Sequence, residues 1–140
     1  MANVKLGTKA VGSIVKIKVN GASKDFIVVQ QGNPNTGTYD SSCAGTWLLM
    51  KDIYTTSTFG NNNSYKDSSI HTYLNGTFYN LIDSNIRAAI KQVKIPYQNG
   101  TGSGGSLATG SNGLSTKVFL LSGYEVGWTT RDNQYFPHDG

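Results

Sequence analysis

The sequence predicts a mixed α+β fold: an antiparallel β-meander, two short helices, and long loops rich in Gly, Ser and Asn. Three observations carry this. Asn20-Gly21, the dipeptide most favoured in a two-residue hairpin turn, separates two apolar strand patterns. Two later stretches space their apolar residues by three and four, the period of a helix face. Gly, Ser, Thr and Asn fill about two fifths of the 140 positions, and these residues bond the local backbone or tolerate turn dihedrals.

Along the chain, Ser13 to Val19 reads as a strand with Val15, Ile17 and Val19 on one face and Lys16 and Lys18 on the solvated one. Asp25 to Val29 reads as the return strand, its nearly unbroken apolar run predicting burial on both faces. A turn-rich stretch, Gln31 to Gly45, precedes a third strand at Trp47 to Met50. Thr55 to Lys66 has the polarity of an exposed loop. Asp67 or Ser68 then caps a helix to about Leu74, with Ile70 and Leu74 as an i, i+4 pair. Asn75-Gly76 is the expected stop. A second helix, capped by Asp83 and running to about Val93, would align Ile86, Ala89, Ile90 and Val93. Lys94 to Tyr97 is extended, because the residue before Pro96 avoids the helical region. Gln98 to Gly113, with six glycines in sixteen residues, is the least structured stretch expected. Lys117 to Leu121 is a last buried strand, and Ser122 with Glu125 has the spacing of a capping box. A polar tail runs from Thr129 to Gly140.

The length fits a single domain, 1–140. The hydrophobic fraction is 37% and the charged fraction 14%, a balance typical of extracellular and virion proteins built on strands and loops. Net charge is +4. Lys5, Lys9, Lys16 and Lys18 all precede the first acid, Asp25, yet no arginine cluster is interleaved with aromatics, so no nucleic-acid partner is expected. A single cysteine, Cys43, gives no disulfide framework, and two scattered histidines give no metal centre. No cofactor is expected. No apolar run approaches the roughly 20 residues of a membrane span, and the first residues lack the apolar core of a signal peptide. The expected product is made in a cytoplasm.

Catalytic constellations are equally sparse. Cys43 sits in a turn-like setting and would need His71, nearly thirty residues away, as its base. His138-Asp139 has no rigid support in a polar tail. Asp67, Asp83 and Glu125 are accounted for as helix caps, and no carboxylate pair has acid/base spacing. Asn61 to Asn63 and Gly100 to Gly105 lack the alternating carboxylates of a calcium loop. Gly102 to Gly105 is not followed by the Lys-Ser/Thr of a phosphate loop. The aromatics stand out more. Tyr with Ser, Gly and Asn in loops is the composition of adaptable recognition surfaces. Tyr39, Tyr54, Asn62, Tyr65 and Tyr97 are the candidate binding residues. Trp47 and Tyr73 fit a core as well as a surface.

Several segments together are distinctive: Gly12 to Gly21, Val28 to Pro34, Thr46 to Asp52, Tyr73 to Phe78, and Val118 to Val126. On these, nearly the whole chain resembles an uncharacterised family found in phages and prophages of gut bacteria, often encoded near tail genes. Its members usually continue past this chain's end. There they carry a Trp-Leu-Arg-Ser-Pro-like segment and a Val-Arg-Pro-Ala-like strand, reminiscent of C-type-lectin-like and formylglycine-generating-enzyme folds. The resemblance implies that this chain is the N-terminal part of such a domain, or a short form completed by a partner. The paired cysteines of formylglycine-generating enzymes have no counterpart here, which argues against that chemistry. The expectation is a non-enzymatic, virion-located module of C-type-lectin-like core. It would bind a host-surface ligand through its loops, or serve as a purely structural subunit against other virion or tail subunits. A homo-oligomer is expected because the last strand would leave an open sheet edge. An enzyme centred on Cys43 or His71 is the remaining alternative.

Overall fold

The computed structural model describes residues 5–61, 64–99 and 106–127. β1 (Ile14–Val19) and β2 (Ala22–Gln31) form a hairpin that closes on the Val19–Ala22 pair. Asn20 at φ 51° and Gly21 at φ 78° make the two-residue loop. Positive φ at both positions is the type I′ geometry, whose twist matches that of the strands. β3 (Thr46–Met50) returns antiparallel along β2, with a bulge between Val28 and Gln30. The meander therefore stands, in the order β1-β2-β3. Ile17 and Val19 are buried while Lys16 and Lys18 are exposed, as their alternation predicts. β2 departs from its expected double burial. Val28 is fully buried, but Ile27 is half-buried and lies opposite Ile14, itself 48% exposed.

The helical layer differs from expectation in two places. Ser68 caps α1 (Ser69–Tyr73), its hydroxyl accepting the His71 N–H at 3.1 Å. The helix does not stop at Asn75-Gly76. It continues through a π-helical turn, Leu74–Phe78, into α2 (Tyr79–Leu81), because the Asn75 side chain is engaged with the distant 116–118 segment. α3 (Ser84–Arg87) is short, and Asp83 sits at its N-cap without a side-chain cap bond. The expected extension to Val93 fails because Val93 opens β4 (Val93–Ile95) and pairs with Thr116 of β7 (Leu114–Thr116). The result is one main helix with short helical turns.

β5 (Tyr97–Asn99) pairs with β6 (Ser106–Ala108), so part of the expected Gln98–Gly113 loop is a hairpin. The expected strand at Lys117–Leu121 is absent. Its N–H groups are taken by side chains instead: Lys117 and Val118 donate to Asn75 Oδ1 at 2.8 and 3.1 Å, and Leu120 to the Tyr65 hydroxyl at 3.2 Å. The capping box forms, with Glu125 Oε2 accepting the Ser122 N–H at 2.7 Å.

Among the described residues, two apolar clusters hold the fold together. Ile17 and Val19 pack with Leu74, Phe78 and Ile82 between the sheet and the helix. Tyr39, Cys43, Tyr65, Ile95, Tyr97 and Leu114 form the second. The molecule is mixed α+β.

Candidate functional site

Where β3 ends, the chain turns at Lys51 and Asp52 and places Ile53 in solvent, 89% exposed. The next residue, Tyr54, turns inward and meets Phe78 edge-on at 5.3 Å, which fixes its ring half-buried. Lys24 and Asp25 of β2, Met50 of β3, and Asp52, Ile53 and Tyr54 enclose a depression of about 60 Å³. Asp25 accepts from Lys16 Nζ at 2.7 Å, and that hydrogen bond holds its carboxyl below the usual range. An apolar side chain thus sits beside an aromatic ring within a rim of both charges. Ligand pockets typically run from about 300 Å³ upward. A 60 Å³ depression suits one protruding side chain or a terminal group of a larger partner, not an enclosed small substrate.

Of the five candidate binding residues, Tyr54 is the one the structure brings to this surface. Tyr39 and Tyr65, expected in exposed loops, are 2% and 0% exposed, and Tyr97 is buried too. A ring without exposed surface offers a ligand nothing to touch in this conformation. The reason is polar satisfaction from afar. The Tyr39 hydroxyl donates to Glu125 Oε1 at 2.9 Å. The Tyr65 hydroxyl accepts from Leu120, and burial pushes its pKa up to about 12. Asn62 lies outside the described residues. The exposure of Ile53 has no signal in the sequence, because a single apolar residue in a polar stretch carries no period.

The residues weighed for catalysis are also placed. Cys43 is buried, its Sγ donates to the Lys94 carbonyl at 3.2 Å, and burial raises the thiol's pKa. The thiolate, the reactive form, is disfavoured there. His71 lies against the Tyr65 ring at 5.1 Å, and burial lowers the imidazole's pKa. Its Nδ1 faces Asn75 Nδ2 at 3.4 Å. Asn75 Oδ1 already accepts from Thr116 Oγ1, Lys117 N–H and Val118 N–H, so the amide nitrogen is the side presented to His71. Among the described residues, no three His, Cys, Asp or Glu side chains come together as a metal site would require. No described helix is long and apolar enough to cross a membrane.

Residues 44–140 match the model of a domain of unknown function, DUF6273, a stretch that begins just before β3. No curated protein and no solved structure matches the chain.

Proposed function

The chain belongs to the DUF6273 family, and we propose that it is a non-enzymatic recognition module of a phage or prophage virion. In this reading it contacts a host-surface ligand or a neighbouring tail subunit through the Ile53–Tyr54 surface. The C-type-lectin-like core, the phage origin and the virion location come from the family resemblance. The observation that carries the binding role is Ile53. An isoleucine 89% exposed, beside a half-buried tyrosine and ringed by Lys24, Asp25 and Asp52, has the layout of an interface anchor with a polar rim. The small depression and the protonated, buried Cys43 thiol support a non-enzymatic role.

Two measurements test the proposal. Mass spectrometry of particles purified after prophage induction should find peptides of this chain among the tail proteins. Their absence at a depth that detects the other tail subunits removes the virion reading. The fluorescently labelled chain should bind intact cells of the host strain, and Ile53→Asp should weaken that binding at least tenfold with the fold preserved. Equal binding by the two proteins, or none by either, overturns the Ile53 surface as the host contact.

A further inference from the structure

We infer that the outer edge of β3 is where two copies of this chain pair, antiparallel and centred on Leu48. Among the described residues the sheet order leaves β1 and β3 as edges, and the two are treated differently. At β1, the Asn20 N–H donates to Leu81 O at 2.7 Å and the Asp83 N–H donates to Lys18 O at 3.0 Å, around a Val19–Ile82 bridge. The end of the helix thus closes that edge, and the exposed Lys16 and Lys18 guard the rest.

Among the described residues, β3 has neither device. The Lys51 N–H donates to Asp25 O at 2.9 Å and the Gly32 N–H to Gly45 O at 2.8 Å. In an antiparallel ladder, alternate residues bond to the same neighbour. Trp47, Leu49 and Lys51 therefore turn their backbone groups to β2, and Thr46, Leu48 and Met50 turn theirs outward. No backbone hydrogen bond from the described residues reaches these three from outside the sheet. The strand reads Thr-Trp-Leu-Leu-Met, without the Lys, Pro or Gly that blunts an edge. All five of its residues are half-buried.

The occupant that fits is a second β3. Outward groups on the first, third and fifth residues of a five-residue strand make a two-fold register: Leu48 opposite Leu48, Thr46 opposite Met50. Past the strand ends, the same pairing brings the segment at Ala44 beside the turn at Lys51 and Asp52 of the second copy. Lys91 Nζ already sits at Ala44, donating to its carbonyl at 2.8 Å. Leu48 and Met50 face the helical layer, where Ile90 joins the same cluster, and Asp52 lines one depression together with Met50. Lys91 therefore meets Asp52 of the second copy, twice per dimer. Two three-stranded sheets become one of six.

Sedimentation velocity on the full chain tests this without reference to any ligand. The expected result is a monomer–dimer equilibrium that shifts with concentration. Lys91→Glu and Asp52→Lys, both on exposed side chains, should each weaken dimerisation at least tenfold, and the double reversal should restore it to within about threefold. Amide exchange at Thr46, Leu48 and Met50 should slow as the dimer forms, while Ile14 and Lys16 stay unchanged. A monomer at every concentration overturns the inference. So does a dimer indifferent to both charge reversals, or one that leaves the β3 amides unprotected.

Discussion

Asn75 shows how a single side chain redirects a region. Its Oδ1 accepts from Thr116 Oγ1, Lys117 N–H and Val118 N–H, and its Nδ2 donates to the carbonyls of His71 and Val118. Asn75→Ala would leave two part-buried N–H groups without acceptors, and each such loss costs about 1–3 kcal/mol. Denaturant unfolding should show a loss of about 2–4 kcal/mol; a loss under 1 kcal/mol would mean water replaces the amide freely. His71 adds a pH dependence. Burial lowers its folded pKa below the unfolded value near 6.5, so the unfolded chain binds the proton more readily. Stability should hold above about pH 6.5 and decline as pH falls below it. The Asp25 and Asp40 carboxyls, both lowered by hydrogen bonds, act only further down, as pH falls through the carboxylate range. His71→Gln should flatten the upper part of the acid limb in urea titrations taken from pH 7 to 5. None of this was legible locally: Asn75-Gly76 has the chemistry of a helix stop, and its real partners lie more than 40 residues away. The same blindness hid Tyr39 and Tyr65, whose hydroxyls find partners 86 and 55 residues along the chain.

Local chemistry decided the elements it fully controls. Asn20-Gly21 sets the first hairpin, Ser68 caps the helix, and Ser122 with Glu125 closes the last turn; each was legible because donor and acceptor lie within a few residues. Where two partners compete, the sequence is ambiguous. Val93 fits a helix face with Ile86, Ala89 and Ile90, yet it pairs with Thr116, and Lys117–Leu121 has strand composition but surrenders its N–H groups to Asn75 and Tyr65. The β4–β7 pair carries its own test at Gly113. A Cβ there would stand 2.7 Å from the Ile95 carbonyl oxygen, a backbone atom with little room to retreat. Gly113→Ala should therefore cost about 1–3 kcal/mol, the range for overpacking a fixed site. A neutral change in the denaturation midpoint would show that the two strands separate easily.

At the scale of the whole molecule, the family match and the fold divide the chain differently. The DUF6273 stretch begins at residue 44, yet β1 and β2 lie before it and supply one wall of a core whose other wall is Leu74, Phe78 and Ile82. Ile17, Val19 and Val28 are 5%, 0% and 0% exposed, and β1 also satisfies the helix end through Asn20 and Lys18. Burying each such side chain contributes about 1.5–3 kcal/mol. Three of them amount to about 5–9 kcal/mol, comparable with the 5–15 kcal/mol net stability of a typical domain. A chain reduced to residues 44–140 should therefore lack a cooperative thermal transition by circular dichroism and should bind a hydrophobic dye such as ANS. Adding a separate peptide of residues 1–43 should restore the transition, since that segment carries both strands of the hairpin and needs no covalent link to pair with β3. A cooperative melt of the 44–140 fragment on its own would show that the helix finds other cover, and that the first two strands are an addition to the family's core instead of part of it.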